Sequence, residues 1–168
     1  GEIFTCSDTF FKTFGYEKQG IIGNNISAIM PPFIRSIHQQ KLIEYFHTGK
    51  TKILDTTKKI FIEDSNRYLN SVMIHVKLNP FLRKGINFVA IMRPFKENSE
   101  YILVRADGTI DGMTKTLAQI LDLDPSIFIG MSLYELCPSL RSIVDIFNRA
   151  AYFSIKKAKD ANDLKFEE

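Results

Sequence analysis

The chain has 168 residues, 45% of them apolar and 24% charged, with a net charge of +3. Such a length holds one domain and part of another, and the balance is that of a globular chain. Lysines and arginines scattered among acids exclude the concentrated basic face of a nucleic-acid binder, and no apolar run approaches the roughly eighteen residues of a membrane span.

With no secretory leader at its start, the chain is expected to be intracellular, cytoplasmic or the cytoplasmic part of a membrane protein. Its two cysteines, Cys6 and Cys137, form no clustered framework, so reduced thiols are expected. Gly1 falls in mid-module, and the sequence reads as a piece of something longer.

Residues 2–6 read as a short strand. Ser7 and Asp8 are N-cap types for a helix whose apolar stripe is Phe10, Phe11 and Phe14, and Gly15 suits the left-handed position that ends it. These aromatics could form a cofactor box, but a packed core is the simpler reading. Pro31 and Pro32 fit the first turn of the next helix, where a missing amide hydrogen costs nothing. That helix, Phe33 to Phe46, places Ile34, Ile37, His38, Leu42 and Tyr45 on one face.

Three β-prone runs follow, 52–62, 68–78 and 86–93, split by the turn-rich clusters 63–67 and 79–85. The connections are short enough for antiparallel hairpins. In the second run Val72, Ile74, Val76 and Leu78 alternate with Met73, His75 and Lys77, which predicts one buried and one mixed face. The third differs. Phe88, Ala90 and Met92 fill one face and Val89 and Ile91 the other, so the outer face is expected to meet a partner, a flanking helix or a second module.

After a linker at 98–100, residues 101–105 read as a strand and 106–108 as a tight turn. Thr114 is placed to cap a helix carrying Leu117, Ile120 and Leu121, and Asp124-Pro125 is a cap with a proline behind it. A last helix is expected over 143–150, before the text turns polar.

The stretch from Gly20 to Phe46 returns in degenerate form. At an offset of 107 residues (108 − 1), Gly1, Ile3, Ile22, Gly23 and Pro31 meet Gly108, Ile110, Ile129, Gly130 and Pro138 without a gap. Apolar positions match too: Phe10 with Leu117, Phe14 with Leu121, Ile26 with Leu133. The expectation is a tandem duplication with a period longer than any solenoid repeat. No counterpart of the three β runs follows the second copy, which is unfinished as given.

Strand, short helices, the Gly-x-Asn-Ile and Met-Pro stretch, a longer helix and three antiparallel strands resemble a PAS domain. Gly15-Tyr16, Ile22-Gly23, Met30-Pro31 and Thr48-Gly49 match its landmarks. The wording is most similar to PAS segments of large multi-pass membrane proteins of ciliated protists. The turn at 63–67 departs from the usual Asp-Gly.

The resemblance implies an α+β fold, a five-stranded antiparallel sheet with helices packed on one face, repeated in tandem. Repeat 1 would span residues 1–97, its first strand upstream, and residues 98–168 would hold the N-terminal part of repeat 2 and a polar segment. It further implies a non-catalytic sensory or regulatory module that contacts a protein partner or other domains of the same larger chain.

Cysteine-adduct photochemistry is excluded at the central motif, because Ile26 and Leu133 stand where the family's flavin photosensors resemble one another in a cysteine. Non-covalent flavin stays open. The haem sensors of the family imply His38 as an axial ligand, and neutral imidazole is a good one; the plain alternative is a hydrogen-bonded core histidine. Most simply there is no cofactor. Any ligand would sit among Ile34, Ile37, Leu42 and Phe88, and the interaction surface would centre on Val89 and Ile91.

His38 and His47 lie on opposite sides of a helix, which excludes a shared metal. No nucleophile elbow, phosphate loop or dinucleotide fingerprint is present, so no enzyme is expected. Glu63-Asp64 reads as a solvated turn.

Overall fold

The computed structural model describes residues 1–81 and 85–140. Helix α1 (Asp8–Phe14) starts at Ser7, whose hydroxyl accepts from the Phe10 amide, and ends at Gly15 with φ of 72°. A Cβ there would meet the left-handed penalty and the Ser65 hydroxyl at 2.6 Å. Helix α2 (Lys18–Ile21) and a 3-10 turn (Ile26–Ile29) follow, the latter capped by Asn25, which accepts from the Ser27 amide.

The long helix α3 (Pro32–Thr48) closes on Gly49 with φ of 67°. Its N-cap residue is Pro31, which has no side-chain acceptor to offer. None of its residues is buried, and its main packing partners are the 3-10 turn and a strand of the second unit.

Strands β1 (Thr57–Glu63), β2 (Leu69–Phe81) and β3 (Gly85–Pro94) form an antiparallel sheet in the order β1-β2-β3. The first predicted run is five residues too long at its start: Asp55 takes a left-handed φ of 53°, which strand pairing does not tolerate. Ile60 faces Val72, and Ile74 faces Met92. Alternation therefore sends Ile60, Ile62, Val72, Ile74 and Met92 to one face, where all but Ile74 pack with Ile3, Phe14, Ile21 and Ile29. Phe61, Leu69, Met73, His75, Val89 and Ile91 fall on the other.

The second unit opens with a two-stranded sheet, β4 (Ile102–Val104) against β5 (Ile110–Met113), turned at Gly108. Helices α4 (Lys115–Ile120), α5 (Pro125–Phe128) and α6 (Leu133–Leu136) follow. Ile110, Met113, Ala118 and Phe128 make its core. Asp124 caps α5 through the Ser126 amide with Pro125 at the first helical position, as the sequence predicts. Thr114 does stand at the N-cap of α4, but its hydroxyl turns away to Tyr101 and Glu100.

The five-stranded sheet is corrected. The described residues form a three-stranded and a two-stranded antiparallel sheet, within an α+β architecture. The predicted strand over 2–6 is reduced to one bridge, Glu2 to Asn25, because no described strand lies beside it as β4 lies beside β5. The helix expected over 143–150 lies outside the described residues.

One frame is nonetheless built twice. Ile3 N–H bonds Asn24 and Gly23 N–H bonds Ile3; Ile110 N–H bonds Met131 and Gly130 N–H bonds Ile110. The bridge from Glu2 to Asn25 has its counterpart from Thr109 to Ser132, and Gly23 and Gly130 share a left-handed φ of 85° and 92°. The sheet of residues 57–94 has no counterpart among the described residues of the second unit.

Candidate functional site

The outer face of the three-stranded sheet is half covered and half open. At the β1 side the second unit lies on it. Lys59 donates to the Tyr101 hydroxyl at 2.9 Å and pairs with Glu97 at 2.5 Å. The rings of Phe61, Phe95 and Tyr101 surround its ammonium, with Tyr101 nearest at 4.6 Å from the ring centre. A bridge joins Leu69 to Thr114, and Gly112 sits so close over Leu69 that a Cβ would stand 2.7 Å from its side chain.

Two carboxylates are buried along this seam. Asp111, 1% exposed, accepts the Phe33 N–H with both oxygens at 3.0 and 2.9 Å, and Arg105 binds one of them at 2.9 and 2.7 Å. The acid thus supplies the acceptor that Pro31 lacks, and it favours the positive end of the α3 dipole. Glu63, 2% exposed, pairs with Arg35 at 2.8 Å, while Arg35 also holds the carbonyls of Ser27 and Met30. The second oxygen of Glu63 is buried without a partner.

Burial pushes the Glu63 carboxyl above its ordinary value, and the nearby Asp111 charge adds to this against the opposing pull of Arg35 and Arg67. Tyr16, whose hydroxyl donates to the Glu63 carbonyl, is pushed up to about 12 by burial and by the charges of Glu63 and Asp64. Glu63 is therefore no part of a solvated turn. It ends β1 buried on the same face as Phe61 and Leu69, and only Asp64, which accepts from the Asn66 and Tyr68 amides, belongs to the turn.

The other half of the face is open. Val89 is 49% and Ile91 53% exposed, and with His75, Lys77, Leu78 and Asn79 they line a shallow hollow of about 270 Å³. A second hollow, of about 500 Å³, lies between the 65–68 turn and the starts of α4 and α5. The open apolar strip continues the surface that the second unit covers, with basic side chains beside it.

The candidate ligand residues are not gathered into a cavity. Ile34 is exposed on α3, and Ile37 is half-buried. Leu42 lies by Gly1, whose added Cβ would stand 3.5 Å from it. Phe88 is taken up by Tyr45 and Phe46, with ring centres 6.0 and 6.2 Å away. His38 is half-buried, and its Nδ1 is enclosed without a partner. Burial lowers its pKa and keeps the imidazole neutral.

His38 lines neither of these two hollows. Among the described residues no cluster of His, Cys, Asp or Glu could hold a metal ion, and no helix is long and apolar enough to cross a membrane.

Sequence reasoning placed Val89 and Ile91 on the outer face but missed Asp111, Gly112 and Lys59. Two signals were available. A helix beginning Pro31-Pro32 has no cap of its own, and Asp111 is a lone acid between two core positions, Ile110 and Met113. No protein-family model matches the chain, and no curated protein matches it.

Proposed function

We propose that the chain is a non-catalytic regulatory module of the PAS type, arranged in tandem with its second copy incomplete, which makes protein contact within a larger protein. The observation that carries this reading is the open half of the outer sheet face. A strand apolar on both sides leaves Val89 and Ile91 half exposed, beside a region that the chain itself already uses for packing. Apolar surface of that kind on a sheet rimmed by polar groups marks an interaction site. The turn-and-cap frame that recurs from Ile3 to Ile110 supports the tandem reading.

Substituting Ile91→Glu places a charge at the centre of the face without touching the core. Pull-down from native extract is expected to recover a partner with the wild-type chain and to lose it with the variant, while circular dichroism and thermal unfolding stay unchanged. Equal recovery by both, with both folded, overturns the surface.

The alternative of a cofactor-bound gas or redox sensor has the partnerless, enclosed Nδ1 of His38 behind it. An absorbance spectrum after haem addition separates the readings. A Soret band lost in His38→Ala would favour the sensor, and a flavin spectrum of the purified protein would favour non-covalent flavin.

A further inference from the structure

The long helix of the first unit depends on the second unit for its N-terminal cap. Helix α3 begins with two prolines, neither of which has an amide hydrogen, so Phe33 carries the first N–H at that end. No residue near in sequence accepts it. The acceptor is Asp111, 78 residues away, held in place by Arg105 across the β4–β5 turn. Nothing on α3 is buried, its packing runs mainly to the 3-10 turn and to β5, and its C-terminal half touches the sheet through Tyr45 and Phe46 on Phe88. A helix so lightly packed takes a large share of its order from its ends.

The geometry points to the β4–β5 hairpin as a latch on α3. Docked, the hairpin caps the helix through Asp111 and covers Phe61 and Leu69 on the outer sheet face. Released, it leaves the Phe33 amide without its acceptor, frays the first turns of α3 and joins the covered half of that face to the open half at Val89 and Ile91. The two effects are coupled because β5 makes both contacts: Asp111 turns to the helix and the adjacent Gly112 lies on Leu69. A displacement of the second unit is thereby converted into a change in the order of α3. The latch stands on its own geometry, whether or not the open face binds a protein.

Hydrogen exchange on the whole chain tests it, read at peptides covering residues 33–40 with residues 72–76 of β2 as the internal standard. Asp111→Ala is expected to speed exchange in the first turns of α3 roughly five-fold, the size of a lost N-cap, while β2 stays protected. In Gly112→Ala the atoms nearest to the new Cβ all belong to Leu69 rather than to α3. Its Cβ lifts the hairpin from Leu69, and it is expected to speed exchange at the same α3 peptides.

That second result separates a latch from a residue that merely neutralises Arg105. Acceleration confined to residues 100–114 in Gly112→Ala, with α3 unchanged, overturns the proposal. So does an α3 that keeps its protection in a folded Asp111→Ala. Should Asp111→Ala lose the β2 standard, Gly112→Ala decides alone.

Discussion

Residues 1–30 and 108–137 build the same turns, yet one position in the frame has opposite fates. The residue after the buried isoleucine is Phe4 in the first, 64% exposed, and Asp111 in the second, 1% exposed. A large apolar ring is left in water and a carboxylate is enclosed. The hydrogen bonds of the frame are the same on both sides, so local structure does not choose. The difference lies in what stands opposite. Beside β5 are β4, the N-terminus of α3 and the outer face of the first sheet, which give an acid its partners; residues 2–6 pair along residues 23–25 with no strand beside them among the described residues. A frame of this kind sets where a side chain points, and the neighbour decides which chemistry is tolerated there.

Shared core positions should be the most costly to disturb in either half. Phe128 is fully buried at the place that Ile21 holds in the first frame. Phe128→Ala is expected to cost about 3–5 kcal/mol in denaturant unfolding, since it leaves a cavity. Phe4→Ala should change stability by less than about 0.5 kcal/mol. A large loss at Phe4 would mean that the two halves are less different than their exposures indicate.

The buried acids sharpen the contrast further. Glu63 has its pKa raised above the ordinary 4.5, so the native state holds this proton more tightly than the unfolded chain does. Its contribution is complete below the unfolded value and is lost as pH rises through the folded one. Glu63→Gln removes that loss, while Arg35 keeps the Ser27 and Met30 carbonyls. The variant is expected to gain on the wild type as pH rises from 4 to 7, ending equal to it or more stable by about 1 kcal/mol, because desolvation of a buried pair offsets its attraction. A wild type that gains on the variant over the same range would show that the Arg35 pair wins.

His38 gives the smallest effect and the opposite sign. Its pKa lies below the ordinary 6.5, so its contribution is complete above that value and is lost as pH falls through the folded one. Thermal unfolding of the wild type should weaken between pH 7 and 5 relative to His38→Gln. Parallel curves would place the ring in water.

The elements themselves were legible because their signals are local. Ser7 and Asp124 cap by reaching an amide two or three residues on, and Gly15 and Gly49 end helices in a conformation that other residues avoid. The alternation of Val72 and Ile74 with Met73 and His75 is strand geometry written in sequence. Asp124-Pro125 likewise marks the start of α5, and Thr114 the start of α4. Thr114 marks the limit of such reasoning: the residue type is right for a cap, and the hydroxyl found other partners in Tyr101 and Glu100.

Sequence alone thus determined α1, the long helix α3, the three strands of the first sheet, the starts of α4 and α5, and the unusual strand with two apolar faces. Tertiary structure decided which part of the outer face is covered, that Glu63 is buried rather than solvated, and that Asp111 caps a helix 78 residues before it. The reason is one of range. A cap or an alternation is settled within a few residues by steric and hydrogen-bonding rules, whereas the burial of a charge depends on partners that only the folded chain brings within 3 Å.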